Sequence, residues 1–455
     1  MNIDILAESV VIPIAILYTL LLSILISHLY RETKRDYLAF AVAIALGASF
    51  LLELFFHFSY PSDQLPWMLW LMFFPLFLSI FLAPLFLIGV KKPKRKKKKK
   101  NSKKPDWANL KLLSVLTILP SLLFTLVLVN NYYRFYPDLY SVLGLQSREF
   151  ATAAQNATYL QFSNPTNNKY DQLSIEQSLY SQENANTKGT VEAINIPGIK
   201  SKFKARSGYL YIPEIANSPG RLNLPVIVLL AGVPGLTQNT LDGMAVQSTM
   251  DEFARVHRGI TPYVFMLDDT GSINNDTECV DSPRGNVETY LTVDVPAYIK
   301  SHFEVTTNSS GWAIGGLSMG GMCGAMITLR HPDVYSAFLD FGGESGPEVG
   351  SESETTSALF KSSEKDWQQH QINILLAEHK YPNVGGYFVT ARSDNLGLVN
   401  SIHNNYYEAK NAGVSAIYES INGNHTFSVW QQAFKDSIPW LSNRLGATIC
   451  STSCK

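Results

Sequence analysis

The chain has 455 residues, more than one typical domain needs, and 37 Lys or Arg residues against 38 Asp or Glu residues give a net charge of −1. The charge is unevenly distributed, because from residue 131 onward 22 basic residues stand against 31 acidic ones. A region with a negative net charge repels nucleic acid, so we expect no nucleic-acid partner.

The N-terminal region contains four apolar stretches, each long enough to cross roughly 30 Å of hydrocarbon. Glu53 is the only formal charge within them. The sequence therefore predicts an all-α four-helix transmembrane domain over residues 1–130. The stretches are Val10–Leu29, Leu38–Phe56, Trp67–Val90 and Leu112–Val129.

Basic residues between these stretches predict the orientation. Arg31, Lys34 and Arg35 lie between the first two, and residues 91–104 carry eleven Lys or Arg between the third and fourth. Cytoplasmic loops favour Lys and Arg, so both termini and the C-terminal domain should be extracytoplasmic. The first stretch lacks a basic leader and should remain as an anchor. The 91–104 segment is either an anionic-lipid contact or a topology signal alone.

Residues 131–190 are polar and predict a juxtamembrane stalk. From residue 191 to residue 455, short apolar strands alternate with longer mixed segments, which is typical of an α/β-hydrolase domain with a mostly parallel sheet. Predicted strands are Tyr209–Ile212, Pro225–Ala231, Tyr263–Leu267, Trp312–Gly315, Ala337–Phe341, Tyr387–Thr390 and Ala416–Ser420. Predicted helices include Gly243–His257, Val287–His302, Gly320–Arg330 and Ser401–Ala412.

The segment Gly316-Leu317-Ser318-Met319-Gly320 joins a predicted strand to a predicted helix. A G-x-S-x-G turn in that setting holds its serine exposed on a sharp bend, as a nucleophile requires. We therefore predict Ser318 as the nucleophile.

A serine nucleophile needs a histidine base and a carboxylate that orients the base. In this fold class both follow the serine in the chain, and His425 alone among the nine histidines follows the last predicted strand. Asp394 follows the preceding strand and is the favoured acid. Glu344, which follows an earlier strand, is the alternative.

The tetrahedral intermediate needs two backbone N–H donors, one of them from the residue after the nucleophile, Met319. The second should come from the turn after the strand Pro225–Ala231. Pro234 has no N–H, so Val233 is the predicted donor, with Gly232 next.

All four cysteines, Cys279, Cys323, Cys450 and Cys454, lie in the predicted outer domain, where disulfides form. Three pairings are possible; Cys279 with Cys323 and Cys450 with Cys454 is the preferred one. No zinc-ligand spacing or phosphate loop is evident, so we expect neither a metal nor a cofactor.

The turn Ala231–Gly235, the Ser318 motif and the tail Gly423-Asn424-His425-Thr426-Phe427 together resemble the esterase D-like family, which includes actinobacterial mycolyltransferases. The stretch from Asp268-Asp269-Thr270-Gly271 to Pro296 is similar to a membrane-anchored actinobacterial subgroup of these esterases. The resemblance implies an α/β-hydrolase that cleaves carboxylic esters or passes the acyl group to a sugar hydroxyl. It also implies the roles given above for Ser318, Asp394, His425, Val233 and Met319. Mycolyltransferases are mostly secreted and typically use Glu as the acid.

The sequence thus predicts a membrane-anchored extracytoplasmic serine esterase or acyltransferase acting on acyl esters or glycolipids of the cell envelope. Alternatives are a mycolyltransferase to trehalose or arabinan acceptors, and a noncatalytic hydrolase-fold module that binds envelope glycolipid. A third hypothesis gives the membrane helices their own transport or lipid-handling function, because Glu53 lies one helical turn before His57. The oligomeric state stays open.

Overall fold

The structure, a computed structural model, describes residues 8–31, 35–59, 70–87, 107–133, 136, 188–217, 223–257, 259–272 and 275–446. The chain divides into two compact units, residues 1–147 and 148–455. Most of the predicted stalk, the basic segment 91–104, and Cys450 and Cys454 lie outside the described residues. The domain limits predicted from the sequence, residues 1–130, 131–190 and 191–455, therefore stay predictions.

The N-terminal unit is helical. Its described helices are Glu8–Arg31, Arg35–Ser59, Phe74–Leu87, Trp107–Leu116 and Ile118–Tyr133. Three apolar stretches in them, Val10–Ser27, Asp36–Phe55 and Lys111–Tyr133, are long enough to cross a membrane. The prediction of four spans is corrected to three in the described residues, because the helix Phe74–Leu87 has only 14 residues and a span needs about 20.

The apolar side chains of this unit divide into a small core and a large exposed set. Leu25, Ala41 and Leu82 belong to the core, and the Tyr18 hydroxyl donates to the Pro75 carbonyl over 3.0 Å. By contrast, Leu20, Phe40, Leu51, Phe55 and Leu119 are each more than half exposed. Helices that are apolar on their outer faces are suited to hydrocarbon rather than water, which supports the prediction of a membrane unit.

The C-terminal unit contains an eight-stranded sheet, which confirms the predicted α/β-hydrolase class. The strands of the sheet are β1 Thr190–Ile194, β2 Gly208–Ile212, β3 Val226–Leu230, β4 Tyr263–Leu267, β7 Trp312–Leu317, β8 Ala337–Phe341, β9 Gly385–Ala391 and β10 Ser415–Ile421; β5 Asp281–Ser282 and β6 Gly285–Asn286 form a separate hairpin. The strand order is β1-β2-β4-β3-β7-β8-β9-β10. In this sheet β2 runs antiparallel to both β1 and β4, and every other pairing is parallel.

Helices connect the parallel strands, as parallel crossovers require. The α-helices are Thr237–Gly243, Val246–Val256, Val287–Thr289, Val295–His302, Met319–Arg330, Glu352–Leu359, Glu364–Gln368, Ile372–Glu378, Leu396–Asn411 and Phe427–Arg444, with a π-helical turn at Tyr290–Asp294. The predicted helix Gly243–His257 is wrong in its extent, because Ala245 adopts a left-handed φ of 50° that separates two helices. The strand β1 was not predicted, and the helix Leu396–Asn411 begins five residues before the predicted Ser401.

The sheet is covered on both faces. Val226, Val228 and Leu230 of β3 belong to one core cluster with Met322 of the helix after β7. Ile227 and Leu229 alternate with them and are also fully buried, so they pack on the opposite face. Strands buried on both sides explain the continuous apolar runs of the sequence. Polar residues that follow these strands are therefore gathered at the carboxyl edge of the sheet.

Candidate active site

Ser318 lies between β7 and the helix Met319–Arg330. Its backbone has φ 54° and ψ −127°, a region that non-glycine residues rarely adopt. The Ser318 N–H donates to the Phe341 carbonyl at the end of β8 over 2.8 Å, and the Ser318 carbonyl accepts from the Gly321 N–H over 2.8 Å. These contacts fix a sharp turn whose serine projects at the carboxyl edge of the sheet.

The two glycines of the motif are required by close packing. A Cβ at position 316 would lie 2.1 Å from the Leu230 carbonyl oxygen, and one at position 320 would lie 2.5 Å from the Ala231 carbonyl oxygen. Neither distance is physically possible for a side-chain carbon. The glycines therefore let the turn that contains Ser318 approach the end of β3, where the predicted oxyanion loop begins.

The loop Ala231–Gly235 lies directly against the serine. A Cβ added to Gly232 would lie 3.0 Å from the Ser318 Cβ, so the next residue, Val233, is close to Ser318. Val233 is half-buried against the core. Met319 is the first residue of its helix, where N–H groups have no partner within the helix. Both predicted donors are therefore close to Ser318 in the fold.

His425 and Asp394 lie together at the same edge. Asp394 follows β9, His425 follows β10, and the His425 Nδ1 lies 2.7 Å from the Asp394 Oδ2. The two loops are joined, because the Ser393 N–H donates to the Gly423 carbonyl over 2.9 Å. A carboxylate at that distance holds the proton on Nδ1 and leaves Nε2 as the basic nitrogen.

The His425 ring is oriented by its neighbours. It packs edge-on against Trp430 with 4.8 Å between ring centroids. A Cβ at Gly342 would lie 3.2 Å from the His425 Cε1. Gly342 follows Phe341, whose carbonyl binds the Ser318 N–H. The fold thus brings the loops that carry Ser318, Asp394 and His425 together at adjoining strand ends.

Glu344, the alternative acid, lies close enough to two other carboxyls to affect their pKa values. The negative charge of Glu344 contributes to a raised pKa at two buried carboxyls, Asp340 and Glu278. Burial is the main cause in both cases and raises the pKa of Asp340 to about 8, although the Gly343 N–H donates to its Oδ1 over 2.8 Å. The contact between His425 and Asp394 therefore favours Asp394 as the acid.

The sequence did not predict a charged pair that lies beside the predicted oxyanion loop Ala231–Gly235. The Arg206 Nη2 lies 2.5 Å from the Asp268 Oδ1, and Arg206 Nε donates to the same oxygen over 3.0 Å. The Nη2 also donates to the Gly235 carbonyl over 3.1 Å. Asp268 follows β4, and Arg206 precedes the antiparallel β2. The pair fixes the far end of the loop that contains Val233.

A disulfide joins Cys279 to Cys323, with 5.7 Å between their Cα atoms. This is one of the two bridges predicted from the sequence. Cys323 lies one turn into the helix that follows Ser318, and both cysteines are fully buried.

Asp269 lies beside this disulfide, with its Oδ2 3.9 Å from the Cys279 Sγ. Burial raises the pKa of Asp269 well above its usual value, and the charge of Asp268 adds to the effect.

Known proteins are similar to parts of this chain. It is 35% identical over 255 residues to an uncharacterised protein of Corynebacterium glutamicum, a match that covers 55% of this chain and 60% of that protein. It is 25% identical over 191 residues to a diacylglycerol acyltransferase/mycolyltransferase of Mycobacterium leprae, covering 35% and 57% of the two chains. The chain spans less than two thirds of the length of the curated relatives that it matches.

Among solved structures, an S-formylglutathione hydrolase from Agrobacterium tumefaciens matches with a TM-score of 0.48 and 18% identity, over 58% of this chain and 98% of that one. Residues 204–441 match the Esterase family. That range contains β2 to β10 and every site residue described above. The chain therefore belongs to the Esterase family, as its sequence motifs predicted.

Proposed function

We propose that the protein is a membrane-anchored serine esterase or acyltransferase in which Ser318 is the nucleophile, His425 the base and Asp394 the acid. The observation that carries the proposal is the 2.7 Å contact between His425 Nδ1 and Asp394 Oδ2 beside the strained Ser318 turn. Family membership supports the same chemistry. A hydrolase fold used only for binding would not need this arrangement.

The reaction begins when His425 Nε2 takes the proton of the Ser318 hydroxyl while Oγ attacks the ester carbonyl carbon. The Met319 and Val233 N–H groups stabilise the negative oxygen of the tetrahedral intermediate. When the ester C–O bond breaks, the leaving alcohol takes the proton from His425. An acyl-enzyme on Ser318 remains, and water or an acceptor alcohol, deprotonated by His425, releases the acyl group.

The substrate class we propose is a carboxylic ester of cell-envelope lipid. Its support is the similarity to an acyltransferase of Mycobacterium leprae and the apolar N-terminal helices. Acyl transfer to a sugar hydroxyl, including mycolyl transfer to trehalose or arabinan, is the second candidate, and the same relative favours it. The two candidates share the acyl-enzyme and differ in the acceptor.

We further propose that the catalytic unit is extracytoplasmic. The basic segment 91–104 supports this orientation, because the apolar stretch Lys111–Tyr133 separates it from the catalytic unit. The buried disulfide supports it too, because disulfides persist in oxidising compartments. Insertion of a protease site between residues 137 and 187 would test the proposal. Cleavage by protease added to intact spheroplasts is expected, and protection until lysis would contradict it.

The experiment that tests the function uses the full chain in lipid nanodiscs with a radiolabelled acyl ester, with and without trehalose. Hydrolysis should release free acid, whereas transfer should produce a labelled glycolipid, and both should require Ser318. Ser318→Ala is expected to abolish both products and the acyl-enzyme. Unchanged turnover in Ser318→Ala would refute the mechanism, and glycolipid binding without turnover in the wild type would favour a binding module.

A further inference from the structure

The loop between β1 and β2, residues 195–207, has an unusual composition for this unit. It contains Lys200, Lys202, Lys204 and Arg206 and no acidic residue, whereas residues 191–455 carry 18 basic against 26 acidic residues. The three lysines are exposed. The loop is therefore a local positive surface on a negatively charged unit.

An apolar side chain lies among these lysines. Ile199 is 61% exposed, and nearby Val293 is 46% exposed. Single exposed apolar residues are common and need no explanation. Large exposed apolar side chains are few among the described residues of this unit, however, and Ile199 and Val293 are two of the five. Leu396, Val256 and Tyr407 are the others.

The loop is held rigidly, although its tip is exposed. The Lys200 and Ser201 N–H groups donate to the buried Asp294 carboxylate over 2.8 and 2.9 Å. Asn286 Nδ2 donates to the Ser201 carbonyl over 2.8 Å, and Phe203 packs against Tyr290. The fold therefore fixes Ile199 outward, so a binding partner would not have to pay the entropy of ordering it.

The loop lies at the same edge of the sheet as the nucleophile. β1 is antiparallel to β2, and β2 is antiparallel to β4, so β1 runs in the direction of β7. Its carboxyl end leads into the loop, as the end of β7 leads into Ser318. Leu396, 72% exposed, follows Asp394 at this edge too. Four strand spacings, about 20 Å, separate β1 from β7, so the start of the loop with Ile199 lies away from Ser318, whereas Arg206 near its end contacts the Gly235 carbonyl.

We propose that this edge of the catalytic unit docks on an anionic lipid bilayer, with Ile199 entering the interface and Lys200, Lys202 and Lys204 binding headgroup phosphates. Exposed apolar residues combined with lysines are the composition that binds such surfaces. Anionic lipid is favoured over a second copy of this chain, because a bilayer offers a continuous layer of phosphates above an apolar interior. The described residues of this unit offer a second copy few large exposed apolar side chains. Docking is independent of the esterase chemistry.

Hydrogen exchange of the full chain in nanodiscs tests the docking without using activity. We expect amides of residues 196–205 to exchange more slowly in bilayers containing phosphatidylglycerol than in pure phosphatidylcholine, and the difference to shrink at high salt. Ile199→Ser and the double variant Lys200→Gln/Lys204→Gln should reduce this protection, by about fivefold per lysine. These side chains are exposed, so folding should not be affected.

Matched control variants lie at the opposite edge of the sheet. Val256→Ser removes an exposed apolar side chain that precedes β4, and Lys380→Gln/Lys410→Gln removes two exposed lysines that precede β9 and β10. Both should leave the exchange pattern unchanged. Equal exchange of these amides in the two lipids would overturn the proposal. So would a loss of protection in the control variants as large as that in the variants of Ile199, Lys200 and Lys204. Protection that depends on protein concentration and not on lipid would instead indicate a second copy of the chain.

Discussion

The sequence offers two candidates for the catalytic acid, Asp394 and Glu344. The contact of Asp394 with His425 favours Asp394. Asp394→Asn keeps the shape of the side chain but removes the charge that fixes the histidine tautomer. We expect kcat to fall by about 10⁴-fold with little change in KM. Steady-state ester hydrolysis by the full chain checks this prediction.

Glu344→Gln is the matched control for that variant, because Glu344 was the alternative acid. It should retain activity close to that of the wild type. The opposite result, a large loss of activity in Glu344→Gln and normal activity in Asp394→Asn, would show that the assignment of the acid is wrong.

Asp340 should make stability depend on pH. Its pKa is raised to about 8 by burial, so the folded chain holds a proton that the unfolded chain releases near pH 4. Stability is then fully present below the unfolded pKa and decreases as pH rises towards 8, by up to about 1.4 kcal/mol per pH unit. Asp340→Asn should flatten this decrease in a thermal denaturation series from pH 5 to 8.

Asp333→Asn changes an exposed aspartate on the loop before β8 and is the control for Asp340→Asn. It should leave the pH dependence as it is in the wild type. An unchanged slope in Asp340→Asn would show that Asp340 is ionised in the folded chain.

The contact between His425 and Asp394 could be predicted, because chain order defines the positions of these residues in this fold class. The catalytic roles given to them and to Ser318 stay predictions. Asp340 and the pair of Arg206 with Asp268 could not be predicted. Their properties come from burial and from partners 62 residues apart, and one sequence shows neither. The prediction of Val233 as the second oxyanion donor came from the missing N–H of Pro234, which is also a local property.

Among the elements, the helix Met319–Arg330 is joined to the segment before β5 by the disulfide of Cys279 and Cys323, which closes a loop with a sequence separation of 44. Cys279→Ala/Cys323→Ala should lower the free energy of unfolding by about 4 kcal/mol, because the unfolded chain regains the entropy of that loop. Thermal denaturation measures the loss.

Both sulfurs are fully buried, so the bridge should also resist mild reductant in the folded wild type. Thiol counting after reductant treatment, with and without denaturant, provides that comparison. Rapid reduction without denaturant, or a melting temperature unchanged in the double variant, would count against a structural disulfide.

The strands could be predicted more reliably than the helices. Fully buried strands such as β3 and β4 appear as uninterrupted apolar runs, whereas β1 contains Glu192 and was missed. The helix predicted over Gly243–His257 failed at Ala245, since a left-handed residue other than glycine leaves no signal in the sequence.

At the scale of the whole molecule, the two units follow the change in composition along the chain. Hydropathy alone predicted four spans, but the described part of the third stretch is a helix of 14 residues. The orientation proposed for the catalytic unit does not need that count, because the basic segment 91–104 directly precedes the apolar stretch Lys111–Tyr133 and the catalytic unit follows it. The fold of the catalytic unit does not depend on this count.

The central claim is that Ser318 is a nucleophile activated by His425, and labelling with a fluorophosphonate probe tests it most directly. The serine Oγ displaces fluoride from phosphorus, and mass spectrometry locates the adduct. The full chain in nanodiscs would be compared with Ser318→Ala, His425→Ala and the control His403→Ala, which changes a half-buried histidine of the helix Leu396–Asn411. We predict an adduct on Ser318 in the wild type and in His403→Ala, and none in the other two variants. An adduct on another serine, or undiminished labelling in His425→Ala, would contradict the account.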